Sequence, residues 1–123
     1  MAKKILIIDD DPDILTSIKA ILDSHGFTPV LAMSGSAGVD MFKSQKPDLV
    51  LCDMMMETID AGSKVAGEIR KFDSNVPLYL LSSIGAATAS NIEIDQLGFN
   101  GVFQKPVDPV ILVASLRRAL NLS

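Results

Sequence analysis

Four short apolar runs in this chain each lead into a polar residue. Ile5-Leu6-Ile7-Ile8 leads into Asp9, Asp10 and Asp11, and Leu49-Val50-Leu51-Cys52 leads into Asp53. Leu78-Tyr79-Leu80-Leu81 leads into Ser82, and Val102-Phe103-Gln104 into Lys105-Pro106. Strands of a parallel sheet are covered on both faces, so they read as unbroken apolar runs rather than alternating ones. Ligands of open α/β sheets bind beyond the carboxyl ends of such strands. The pattern therefore predicts one cleft that gathers several carboxylates, a hydroxyl and an ammonium. That combination suits a hard cation and a phosphoryl group.

The amphipathic stretches between the runs complete the pattern. Asp11-Pro12 reads as a helix cap followed by a first-turn proline. Ile14, Leu15, Ile18, Ile21 and Leu22 then share one helical face, up to a stop at Gly26. Thr28 to Met33 reads as a second strand, and Ser36 to Lys43 as a short helix with Val39 and Phe42 inward. Lys64 to Phe72 reads as a third helix, with Val65 and Ile69 inward. The small-residue stretch 85–90 leads into a weak fourth helix that ends at Gly98. Asp108-Pro109 caps a fifth helix whose inward stripe is Ile111, Leu112, Leu116 and Leu120, with Val110 and Val113 off that stripe. A β-α unit repeated five times, with right-handed crossovers, predicts a doubly wound parallel α/β sheet of strand order 2-1-3-4-5.

At 123 residues the chain is expected to be one domain over 1–123, with enough length to bury a core. Its net charge of −4 argues against nucleic acid or an anionic membrane as the main partner. Cys52 is the only cysteine, so no intramolecular disulfide forms and a reducing, cytoplasmic setting fits. The apolar run after Lys4 is too short for a signal peptide or a membrane span.

Strands 1 and 3 are neighbours in that order, so Asp9, Asp10 and Asp53 converge. Carboxylates that close repel one another unless a cation sits among them. Mg²⁺ takes one or two carboxylates, keeps waters, and bridges to phosphate oxygens. A carboxylate can itself be the nucleophile and form an aspartyl-phosphate. Ser82 can donate to a phosphoryl oxygen, and Lys105 can offer a compact charge to another. Several neighbours take simpler readings. Asp11 is the helix cap, Asp13 a first-turn acid favoured by the helix dipole, and His25 a residue of the helix C-terminus. Cys52 is a small core residue, and Met54, Met55 and Met56 are packing and loop residues, since hard cations want oxygen ligands.

Over essentially its full length the chain resembles the receiver domain of two-component response regulators. The resemblance rests on Ile5 to Asp11, on Pro47 to Met56, on Leu78 to Ser82 and on Lys105-Pro106. It implies a flavodoxin-like (βα)5 fold in which Asp53 accepts phosphate from a sensor histidine kinase or a phosphotransfer protein. It implies that Asp9 and Asp10 hold Mg²⁺, with Asp10 the more direct ligand and the backbone carbonyl of Met55 a further one. Ser82 stands at the family's switch hydroxyl and Lys105 at its phosphoryl-binding lysine. The Lys105-Pro106 bond is a candidate for the cis form common in the family. Phosphorylation would then shift the face made by the fourth helix, fifth strand and fifth helix to control a downstream effector. The resemblance implies a phosphoacceptor and not a multiple-turnover enzyme, acting as a monomer or weak dimer.

Four features depart from the family pattern, one being that Asp60 is followed by Ala61, with Gly62 one later, where Asp-Gly is usual. Glu57 stands where a proline is usual, and Ser83 where an alanine is usual. Val102 stands three residues before the lysine, where the family carries an aromatic switch residue, with Phe103 beside it. Those departures keep open a second class, a phosphorylation-independent interaction module on the same fold. A third class is an Asp-nucleophile phosphatase. Asp9 and Asp11 form an Asp-x-Asp that resembles haloacid-dehalogenase hydrolases, although the chain is short for that family and has no evident cap domain.

Overall fold

In β1 (Lys4–Ile8) the residues Ile5, Leu6, Ile7 and Ile8 are each 0% exposed, which requires cover on both faces of the strand. The structure, a computed structural model, describes residues 3–53, 61–82, 99–105 and 107–121. After β1 come α1 (Pro12–Ser24), β2 (Thr28–Ala32), α2 (Gly35–Gln45), β3 (Leu49–Asp53), α3 (Ala61–Phe72), β4 (Leu78–Ser82), β5 (Gly101–Gln104) and α4 (Pro109–Ala119). The strands pair in parallel in the order β2-β1-β3-β4-β5, as the alternation of runs predicts. The weak helix expected before Gly98 lies outside the described residues, so α4 is the last helix of the sequence reading.

The strands sort their side chains by parity. Leu6, Ile8, Val50, Cys52, Leu78 and Leu80 turn to one face, where Phe42 of α2 and Val65, Ala66 and Ile69 of α3 cover them. Ile5, Ile7, Leu49, Leu51, Leu81 and Phe103 turn to the other face, against Leu15, Ile18 and Leu22 of α1 and Leu112 and Leu116 of α4. Burying each such side chain contributes about 1.5–3 kcal/mol, so the two-sided cover is the main stabilising term. Cys52 belongs to the first cluster, in line with its reading as a core residue. On that face α2 crosses β1 so closely that a Cβ at Gly38 would stand 2.7 Å from Ile8 Cγ1, which only glycine avoids.

The helix starts follow from their caps. Asp11 accepts the Asp13 N–H at 2.9 Å, with Pro12 as the first helical residue of α1. Asp108 likewise accepts the Val110 N–H at 2.8 Å ahead of Pro109. Ser34 accepts the Ala37 N–H, so α2 starts one residue before the expected Ser36 and runs on to Gln45. At its end Lys46 adopts a left-handed conformation with φ 49°. Gly26, at φ 83°, closes α1. The second strand stops at Ala32, and Met33 is exposed, one residue short of the expected end.

Two expectations for α4 are overturned. Ile111 is 58% exposed instead of inward, and Val113 is 7% exposed instead of lying off the core stripe. The helical wheel gives the reason. With about 100° per residue, Leu112, Leu116 and Leu120 centre the inward arc so that Val113 sits roughly 60° from its middle and Ile111 about 140°. No helix among the described residues is long and apolar enough to cross a membrane.

Candidate functional site

The register of β1 and β3 sets Ile8 beside Cys52, so the residues that follow, Asp9 and Asp53, leave the sheet side by side. The backbone N–H of Asp9 still donates to Ala32 of β2 at 3.0 Å, which fixes the loop before α1. Asp9 is 0% exposed, and its Oδ1 accepts the Asp11 N–H at 2.9 Å. Asp53 is also buried, while Asp10 is exposed. One carboxylate oxygen from each of Asp9, Asp10 and Asp53 lies within 4.8 Å of the other two.

The opposite wall comes from β4 and β5. Ser82, the last residue of β4, is buried at 2% exposure and lies one position beyond the Asp53–Leu81 pair. Its carbonyl accepts the Lys105 N–H at 2.7 Å, which ties the end of β5 to the same edge. From there Lys105 Nζ comes within 2.7 Å of Asp9 Oδ2 and 3.4 Å of Asp53 Oδ2. Burial acts to lower the Lys105 pKa, but the Asp9 and Asp53 carboxylates outweigh it and hold the ammonium above its usual range. Lys105 is thus a fixed positive charge at any physiological pH.

Three carboxylates and one ammonium leave this end of the sheet with a net negative charge in a largely buried setting. Asp9 Oδ2 has no hydrogen-bond partner of proper geometry there, only its charge contact with Lys105. The donors at the cluster are all oxygens, the uncompensated charge is negative, and one buried acceptor is under-used. Those features fit a hard divalent cation such as Mg²⁺ better than a soft metal.

The structure thus brings together Asp9, Asp10, Asp53, Ser82 and Lys105, drawn from four strands. The expected contributors Met55, Glu57, Ser83 and Pro106 lie outside the described residues. Val102 is partly buried and packs into the cluster beneath α2 and α3. Phe103 points to the opposite face of the sheet, where its ring meets Tyr79 at 5.3 Å between centroids. By strand parity Phe103 therefore takes the place of no ring at position 102. The sequence reading aimed Lys105 at a phosphoryl group and missed its pairing with Asp9. These two residues sit near opposite ends of the chain, and no local spacing reports on them.

A family model described as "Response regulator receiver domain" matches residues 5–117. The protein named "Probable transcriptional regulator ycf27" of Guillardia theta is 36% identical over 119 residues, which covers 97% of this chain and 46% of that protein. The transcriptional regulatory protein GlrR of Escherichia coli is 32% identical over 119 residues, covering 97% of this chain and 26% of its own length. The chain therefore spans between about a quarter and about half of the length of these relatives. Among solved structures, a response regulator receiver domain protein from Clostridium thermocellum superposes with a TM-score of 0.87 at 28% identity, covering 98% of this chain and 95% of that one.

Proposed function

Because the chain belongs to the response regulator receiver-domain family, we propose that it is the phosphoacceptor of a two-component phosphorelay, with Asp53 as the residue that takes the phosphoryl group. The observation that carries this reading is the convergence of Asp9, Asp10 and Asp53 within 4.8 Å, with Lys105 Nζ against two of them. In the transfer, the P–N bond of a donor phosphohistidine breaks as a P–O bond forms to a carboxylate oxygen of Asp53. The electron pair of the broken bond returns to the donor imidazole. Such a reaction asks little covalent chemistry of the protein beyond alignment and charge neutralisation.

Each residue then has a role. Asp9 and Asp10, with Asp53, would hold Mg²⁺, which would supply charge neutralisation to the transferring phosphoryl oxygens. On the family resemblance alone, the Met55 carbonyl would be a further ligand. Lys105 keeps Asp9 and Asp53 compatible before transfer and offers its ammonium to a phosphoryl oxygen afterwards. Ser82 lies at the same edge and supplies a hydroxyl to another. A sensor histidine kinase or phosphotransfer protein is the donor. The face built from the fourth expected helix, β5 and α4 carries the change to an effector. The acidic balance makes nucleic acid a poor partner for this chain. The relatives named as transcriptional regulators are longer, so that expectation extends to this chain and not to the whole of such a protein.

Two observations bear on the alternatives. Val102 already fills space in the core beneath α2 and α3, which favours an output that differs from an aromatic-switch receiver, or one that ignores phosphate. Comparing effector binding with and without beryllofluoride separates those two. The phosphatase reading loses support because Asp9 is fully buried between the Asp11 N–H and Lys105, while Asp11 is spent on capping α1.

The test is the intact mass of the protein after incubation with acetyl phosphate and Mg²⁺. A gain of one phosphoryl group by wild type and none by Asp53→Asn supports the assignment. Equal gain by both variants sinks it.

A further inference from the structure

Pro47 precedes β3 at the end opposite Asp53, and the six residue steps from one to the other place the two about 20 Å apart at roughly 3.3 Å per residue. Beside Pro47 the structure carries a cavity of about 510 Å³ between the C-terminal ends of α2 and α3. Phe42, Pro47 and Phe72 make it apolar, and Lys43, Lys46 and Asp73 complete its lining. Phe42 and Pro47 are buried, but Phe72 is 58% exposed, which is unusual for an aromatic ring at the end of a helix whose inward positions are filled.

The rim has a definite charge. Lys43 Nζ stands 4.5 Å from the centroid of the Phe72 ring, a cation held over an aromatic face at the mouth of the cavity. Neither Lys43 nor Lys46 has a carboxylate partner among the described residues. Asp73 is occupied locally, since its Oδ1 accepts the N–H groups of Asn75 and Val76. This rim is therefore locally positive on a chain whose net charge is −4. Lys46 is moreover held at φ 49°, a conformation that a glycine or asparagine adopts more readily after a helix.

We propose that this cavity is a docking site for an acidic segment of a partner protein. A phenylalanine or leucine of the segment enters between Phe42, Pro47 and Phe72, and its flanking carboxylates pair with Lys43 and Lys46. The charge complementarity selects the partner's sign, and the aromatic walls select its anchor. The site uses none of the residues assigned to phosphoryl transfer and lies at the far end of the sheet. Binding there is independent of the phosphorylation state. It serves to keep a partner on the protein while the other end of the sheet changes.

The experiment uses a synthetic pool of acidic peptides, each carrying one Phe or Leu, titrated into the isotope-labelled protein and followed by amide chemical shifts. Two control pools replace the acids with amides or with lysines. The expected result is shifts centred on 42–47 and 72–73 with the acidic pool alone, unchanged when beryllofluoride and Mg²⁺ are added. Lys46→Gly removes one ammonium and relieves the left-handed backbone, so it folds at least as stably while weakening binding about tenfold, in the range of a lost interfacial charge pair. Phe72→Ala, at an exposed position, abolishes binding without a fall in Tm. Binding elsewhere on the surface, equal binding of the amide or lysine pool, self-association through this face in place of peptide binding, or no binding at all overturns the proposal. Loss of peptide binding on adding beryllofluoride overturns its independence from phosphate.

Discussion

The two ends of β3 are built on opposite principles. At its carboxyl end the polar groups are buried: Asp9, Asp53 and Ser82 are each at most 6% exposed and are held in place by backbone from four strands. Before its amino end the apolar group is exposed, as Phe72 projects to solvent beneath a lysine. The first arrangement is costly and tightly interlocked, because a buried charge is tolerated only beside its counter-charge. The second costs little, because helix ends meet water and change with little effect on the core. The comparison teaches where reactivity and where recognition can be placed in one small sheet. Chemistry sits where strands converge, and recognition sits where helices stop.

The sharpest way to break the comparison is at the reactive end. Asp53→Asn is expected to abolish phosphoryl uptake in the acetyl phosphate mass assay while leaving the cavity beside Phe72 and its ligand binding unchanged. Lys105→Ala comes next. It strands Asp9 in a fully buried site, and we expect a loss of about 2 kcal/mol in denaturant unfolding, less than for a wholly buried pair because Lys105 keeps some solvent contact. Added Mg²⁺ should restore more stability to that variant than it adds to wild type, because the variant carries one more uncompensated negative charge.

The same ion pair sets a pH dependence. The folded-state pKa of Lys105 is raised above the ordinary 10.5. A raised lysine contributes stability that is fully present below the unfolded pKa and is lost as pH rises through the folded one. The stability gap between wild type and Lys105→Met is therefore expected to be constant from neutral pH up to the ordinary lysine range, and to close above it. Thermal melts across alkaline pH check this, and a gap that closes near neutrality would count against the pairing. At the other end of β3 the effects should be smallest. Phe72→Ala is expected to change stability by less than about 0.5 kcal/mol, as for other exposed positions. Lys46→Gly is expected to raise it by up to about 1 kcal/mol through relief of the left-handed backbone.

The parts of the fold that depend on neighbours in sequence were legible. Four of the five strands are present where apolar runs lead into polar residues, β2 is present within the stretch Thr28 to Met33, and Asp11 and Asp108 cap the helices that their following prolines announced. The sheet order followed from the strict β-α alternation. Legibility failed where the answer depends on phase or on distant contacts. On α4, both Ile111 and Val113 flank Leu112, and the choice between them turns on Leu116 and Leu120, which draw the middle of the buried arc toward Val113. On β5, parity alone separates Val102 from Phe103, and it sends them to opposite faces. The gathering of Asp9, Asp10, Asp53, Ser82 and Lys105 at one end of the sheet was legible because each ends or closely follows its strand. The pairing of Lys105 with Asp9 was not, because it exists only once β5 and β1 share a sheet. The cavity beside Phe72 was invisible for the same reason, since α2 and α3 are brought side by side only once β1 and β3 pair.

One residue at the outer margin of the sheet has a bearing on how the protein behaves in a crowded solution. Pro29 lies in β2, which ends the β2-β1-β3-β4-β5 order and so has one side with no neighbouring strand among the described residues. The Thr28 N–H donates to Lys3 on the β1 side at 2.8 Å. Alternation along the strand therefore turns the nitrogen of Pro29 outward, toward the open margin. That nitrogen carries no hydrogen, so an incoming strand meets a missing donor at the second position of a five-residue template. A proline there blunts edge-to-edge polymerisation at the open end of the sheet, and it does so without disturbing the ladder that holds β2 to β1.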